Sequence, residues 1–239
     1  MLTLADVIEA ILGQRPRRAT QVITEATIDS RKVIPGALYI STFTDPAEGA
    51  AAAAEALERG AALVWVQHPL PPPFRVLHVR QALRPGALSD QDLPLCLQVE
   101  DTLAALYQLA SFWRARNQVQ ITAITGSVGK TTTKDLVGEV LQRRYRTLKN
   151  TSDLPSELDI PLTLLQLTAG HQRAVVEIDF DALDESDFLA TLLQPQTGII
   201  TNVAPNCVRQ AATPEDLISR KAALLRALPA SGIAILNYD

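Results

Sequence analysis

Cysteine is scarce: only Cys96 and Cys207 occur, far apart and with no metal-ligand spacing around them. That excludes a disulfide framework and points to a reducing compartment. Positive charge is not in excess either. Twenty-two Lys and Arg against 26 Asp and Glu leave a net charge of −4, which gives no support for binding a polyphosphate backbone. No N-terminal stretch joins a basic end to an apolar core and a cleavage site. No uninterrupted apolar run approaches the ~20 residues that a membrane-spanning helix needs. These absences lead us to expect a cytoplasmic, soluble protein with no nucleic-acid or membrane partner. What remains is ordinary globular material, 47% hydrophobic in 239 residues, enough for one large core or two smaller ones.

The first hundred residues read as a small α/β domain. Thr3 is a plausible N-cap with Asp6 three residues on. "QVITEATIDSRKV" and "GALYIST" read as strands separated by the Pro35-Gly36 turn, and "PAEGAAAAAEALERGA" is helical by propensity. "ALVWVQ" and "RVLHV" read as further strands across a proline-rich connector, and residues 80–98 read as a loop. "VEDTLAALYQLASFWRARN" is one strong helix, so the expected division is a domain at 1–98, a linking helix at 99–116 and a second domain at 117–239. In that second domain strands alternate regularly with helices at 131–143, 157–167, 184–193 and 214–227. This alternation argues for a parallel sheet with helices on both faces, whose ligands collect at the carboxyl ends of the strands.

One such end carries "ITAITGSVGKTTTKDL". Gly126 and Gly129 allow a tight bend and close approach to an anion, with Ser127 and Val128 between them. Lys130 would lie against terminal phosphates, aided by the helix N-terminus, and Thr131 or Thr132 would offer a hydroxyl to magnesium. The full nucleoside-triphosphate pattern has a glycine six residues before the lysine; Ile124 stands there, leaving a shorter Gly-x-x-Gly-Lys-Thr-Thr. The alternative is an ordinary strand-to-helix turn. A second strand, "RAVVEIDFD", ends at Glu177, a candidate magnesium ligand with Asp179 as competitor. In helix 214–227, Lys221 falls inside the stripe formed by Leu217, Ile218, Leu224, Leu225 and Leu228. A buried amine that loses its proton can be acylated by carbon dioxide, which would convert it into an anionic metal ligand. The alternative is a stem that passes its neighbours to reach solvent.

Taken in order, "DSRKVIPGALYI", "ERGAALVWV", "VEDTLAALYQLASFWR", "ITGSVGKTTTKDLVGEVL", "IPLTLLQLT", "AVVEID", "GIITNVAP", "SRKAALLRALP" and "GIAILN" resemble the Mur ligase family. The resemblance implies an α/β fold: a small N-terminal domain followed by a phosphate-loop parallel sheet, the family's central domain, incomplete at its C-terminus. It implies ATP and Mg2+ as cofactors. The implied chemistry phosphorylates a carboxylate of a UDP-muramoyl-peptide-like substrate and lets an amine displace the phosphate. Lys130 and Thr131 match the phosphate-loop residues, Glu177 the metal-binding acid and Lys221 the lysine that the family carbamylates, while Ser30 and Arg31 fall where the N-terminal domain meets the uridine nucleotide.

The sequence also departs from the family. Glu48-Gly49-Ala50 replaces an Asp-Gly-His. Asp153, Pro155 and Ser156 stand where asparagines are expected, Ala182 where a histidine follows the acid, and Cys207 where a histidine shares the second metal. His68, His78 and His171 lie elsewhere. The sequence stops at Asn237-Tyr238-Asp239, so a C-terminal domain or partner chain is expected to supply the remainder. Two other readings stay open: a diverged nucleotide-binding homologue or scaffold without ligase activity, and an unrelated phosphate-loop kinase or ATPase.

Overall fold

A computed structural model describes residues 1–72, 74–78, 90–180, 186–204 and 213–238. The chain divides into two compact units, Met1–Trp113 and Arg114–Asp239.

In the first unit, helix α1 (Leu4–Leu12) starts at Thr3, whose side chain accepts from Asp6 N while the Asp6 carboxylate accepts from Thr3 N. The sequence pattern of a capping box is thus realised as geometry. Strands β1 (Ala26–Thr27) and β2 (Leu38–Ile40) are followed by helix α2 (Pro46–Glu58) and strands β3 (Leu63–Val66), β4 (Val76–His78) and β5 (Leu95–Gln98). All pair parallel, in the order β1-β2-β3-β5-β4. Helix α2 turns Ala52, Ala53 and Ala56 onto Tyr39, Val64, Val66 and Cys96. Side chains this small let the helix lie close to the sheet. Every residue of β3 is buried, as expected of a strand covered on both faces.

Two expectations fail here. The strand read through residue 33 is cut to Ala26–Thr27, because Asp29 accepts from Arg31 N and turns Ser30–Lys32 into a 3-10 helix. The supposed loop at 80–98 ends in β5, which inserts between β3 and β4. Its run Leu95-Cys96-Leu97 is short and follows polar and proline residues, so periodicity alone does not reveal it.

Burial in β5 pushes the Cys96 thiol up to about 11. Because the folded value lies above the unfolded one, this contribution to stability is whole below the ordinary thiol range. It is lost as pH rises through about 11. In a Cys207→Ser background, Cys96 should stay inert to a disulfide reagent at pH 8 and react once denaturant is added. Reaction at the rate of a free thiol would contradict the packing.

Helix α3 (Thr102–Arg116) leads into the second unit. There β6 (Gln120–Thr125), α4 (Lys130–Gln142), β7 (Thr147–Lys149), α5 (Ser156–Leu165), β8 (Arg173–Glu177), α6 (Ser186–Leu193), β9 (Thr197–Ile200), α7 (Pro214–Arg226) and β10 (Ile233–Leu236) follow in turn. The sheet is wholly parallel with order β10-β9-β6-β8-β7. Its core holds Ile121, Ala123, Ile124, Val175 and Val176 from the central strands, with Leu189 and Leu193 from α6 and Leu217 and Leu224 from α7. Arg114, 4% exposed, donates to the carbonyls of Leu193, Gln194, Asn117 and Val119 at 2.6–3.2 Å. It thereby caps the C-terminus of α6, whose last carbonyls have no partner within the helix. At the sheet edge, Ile233, Ile235 and Leu236 of β10 are exposed. Among the described residues no helix is long and apolar enough to cross a membrane.

From central β6 the chain first winds to one side, through β7 and β8, and then to the other, through β9 and β10. The carboxyl end of β6 is therefore the topological switch point, flanked by the ends of β8 and β9. Open parallel sheets hold ligands at such a point.

Candidate active site at the carboxyl edge of the second sheet

Three strand ends meet at this point. From β6 comes the loop 126–129. Gly126 has φ 150, and a Cβ there would lie 1.9 Å from Thr201 Oγ1, so only glycine fits. Gly129 takes φ 81 as the N-cap of α4 and supplies no side-chain cap, leaving the first amides of the helix without one. Lys130 reaches back over the loop, its Nζ donating to Gly126 O at 2.8 Å and lying 3.8 Å from Asp179 Oδ1. The side chains of Thr131 and Thr132 sit on the exposed first turn.

From β8 comes Glu177, and it is held from every side. Thr131 Oγ1 donates to its Oε1 at 3.0 Å and Ser152 Oγ to its Oε2 at 3.0 Å. Lys134 Nζ lies 3.7 Å from the same Oε2 and donates to Ser152 Oγ and Asn150 O. Asn150 grips the main chain: its Oδ1 accepts from Glu177 N at 2.9 Å and its Nδ2 donates to Glu177 O at 3.1 Å. The second hydrogen on that nitrogen goes to Asp159, whose carboxyl pKa burial raises even against the Asn150 bond. Asp179, the competitor for the metal role, has a half-exposed side chain directed at Lys130.

Just beyond β9, Thr201 and Asn202 bond to the loop at Val128 and Ser127. Lys221 lies on α7, which packs against β6 and β9, and it is 1% exposed. The alternative in which its stem reaches solvent does not hold. Ile218 leaves the expected stripe, at 55% exposed, so the buried face of α7 runs through Leu217, Lys221 and Leu224. In the first unit Ser30 Oγ donates to Glu55 Oε2 at 2.7 Å, and Arg31 pairs with Asp29 at 2.9 Å with its own side chain largely exposed. Arg31 and Asp29 thus close the local turn, while Ser30 ties that turn to α2. Ala182 and Cys207 lie outside the described residues.

The loop and Glu177 thus come together as the sequence pattern required. Lys134, Asn150, Ser152 and Asn202 were not singled out from the sequence. Lys134 alone had a local signal, lying one turn beyond Lys130 on the face of α4 that also carries Gly138.

A bent glycine loop feeding a helix N-terminus, with an acid on the neighbouring strand end, is the construction of a phosphate-loop domain. Residues 124–239 match the Mur ligase middle domain, and the second unit belongs to that family. Among its relatives, the UDP-N-acetylmuramoyl-tripeptide–D-alanyl-D-alanine ligase of Synechocystis is 31% identical over 91% of this chain and 44% of that one. The Escherichia coli enzyme of the same name is 27% identical over 100% of this chain and 48% of that one. Among solved structures, MurF from Acinetobacter baumannii superposes with a TM-score of 0.77 over 98% of this chain and 48% of that one, at 24% identity. The chain spans about half the length of the curated relatives it matches.

Proposed function

We propose that this chain forms the substrate- and nucleotide-binding half of an ATP-dependent, amide-forming ligase acting on a UDP-muramoyl peptide or a similar carboxylate. The observation that carries the reading is the convergence of the 126–131 bend and Glu177 at the switch point of the sheet, joined by the 3.0 Å bond from Thr131. The assigned roles follow from chemistry. Gly126, Ser127, Val128, Gly129, Lys130, Thr131 and Thr132 surround the phosphates. Lys130 neutralises charge that builds on the transferring phosphoryl group. Ser30 and Arg31 belong to the uridine side.

The donor set fits magnesium: a carboxylate and a hydroxyl 3.0 Å apart, both hard oxygen ligands, beside a loop that would present phosphate oxygens. Among the described residues no three His, Cys, Asp or Glu side chains group to hold a metal. Magnesium shared with a nucleotide needs only one or two protein ligands. Thr131, Glu177 and, once carbamylated, Lys221 would hold it, and it would draw charge from the phosphate oxygens. In the reaction the substrate carboxylate attacks the γ-phosphorus and ADP leaves. The amine then attacks the acyl carbon, losing a proton as inorganic phosphate departs. The amine site belongs to a further domain or partner chain, and a cytoplasmic setting follows from the need for ATP.

A diverged homologue without ligase activity is not favoured, because Glu177 keeps a full set of supports from Thr131, Ser152, Lys134 and Asn150. The test is magnesium-dependent ATP binding by this chain, followed by phosphate release on addition of UDP-muramoyl peptide and the completing half. Saturable binding that vanishes with a chelator is expected. No binding at millimolar ATP would overturn the reading.

A further inference from the structure

We propose that Asn202 is a positioning residue that latches the first half of the phosphate loop, so that the second half meets the triphosphate already shaped. This rests on the reading that the loop holds phosphates.

The geometry divides the loop in two. Residues 126–128 are fastened to the segment just beyond β9. Asn202 Oδ1 accepts from Ser127 N at 3.1 Å and from Val128 N at 3.0 Å, and its Nδ2 donates to Val128 O at 3.2 Å. Ser127 N also points at Asn202 O, 3.2 Å away. Thr201 Oγ1 donates to Val128 O at 2.7 Å, and Ala204 N donates to Ser127 Oγ at 2.9 Å. Gly126 packs against Thr201 so tightly that a methyl group would not fit. One carboxamide therefore satisfies two consecutive loop amides and one loop carbonyl. These two amides are occupied by protein, so Ser127 and Val128 border the phosphates by the shape of the bend and not through their main-chain donors.

From Gly129 onward the arrangement changes. No side chain caps α4, so the amides of its first turn, with Lys130 Nζ, are the donors left for an anion. A glycine-rich bend free in solution would lose much conformational entropy on closing around a triphosphate. The bonds from Asn202 remove that cost before the ligand arrives. Neutrality matters as well. A carboxylate at 202 would accept from the same two amides, yet would set a negative charge beside the incoming phosphates.

The experiment uses magnesium tripolyphosphate and magnesium ATP as probes, titrated into the 239-residue chain and two variants, with amide exchange followed at residues 126–129. Asn202→Ala should weaken both probes by about tenfold and release the Ser127 and Val128 amides to exchange, while β6 and β9 stay protected. Asn202→Asp should keep those amides protected and still weaken both probes by at least about tenfold, because charge and not disorder is at fault. Should Asn202→Ala fail to fold, Asn202→Asp decides alone. Wild-type affinity in either folded variant overturns the role of Asn202 and leaves the nucleotide reading intact. If the wild-type chain binds neither probe, the nucleotide reading falls and this inference falls with it.

Discussion

Lys134→Met should lower the free energy of unfolding by about 3–5 kcal/mol, the usual cost of leaving one member of a buried ion pair without the other. Lys134 is 3% exposed, and its ammonium serves Glu177 Oε2, Ser152 Oγ and the carbonyl of Asn150 together. Methionine fills most of the same volume, so the loss comes from electrostatics and unmade hydrogen bonds rather than from a cavity. Urea titration of the single variant, of Glu177→Gln and of the double variant measures the coupling. The double variant should recover a large part of the deficit, since it removes both charges. Additive losses would mean that Lys134 stabilises the helix by packing alone.

Lys130→Ala should act on ligand and not on fold. Its ammonium is aimed over the bend, and among the described residues it bonds to Gly126 O and lies 3.8 Å from Asp179, so the loop keeps its shape through Thr201 and Asn202 without it. Losing one charge-assisted donor should weaken magnesium ATP by about 10- to 100-fold. Where phosphoryl transfer is measured with substrate and the completing half present, turnover should fall by about 10²–10³. The melting temperature should not move by more than a degree or two. An unchanged ATP affinity would remove Lys130 from the phosphate site.

Lys130 and Lys134 also mark what the sequence could and could not tell. Lys130 was legible because its meaning is local: a strand, two glycines, a lysine and a helix lie within a dozen residues. Glu177 was legible for a similar reason, as the polar residue that ends an apolar run, and the cap of α1 was written in the four-residue pattern from Thr3 to Asp6. Lys134 was not legible as support for Glu177, because the two lie 43 residues apart and meet only when α4 packs beside β8. Asn150 and Asn202 carry no signal of their own; an asparagine at a strand end is also what a turn would use. Lys221 shows the reverse case. The periodicity of α7 placed it on the buried face, and the structure bears that out while discarding Ile218 from the same stripe. β5 escaped because four residues after a proline give neither a helical nor an alternating period.

Glu177 takes its place from Asn150, which clasps its main chain from the end of β7, so the acid inherits its coordinates from the outermost strand of the sheet. Occupancy and folding are consequently two views of one equilibrium. A ligand present at a hundred times its dissociation constant deepens the native well by about 2.7 kcal/mol. By the same linkage, fraying at the β7 border lowers the affinity of the pocket whose acid Asn150 holds.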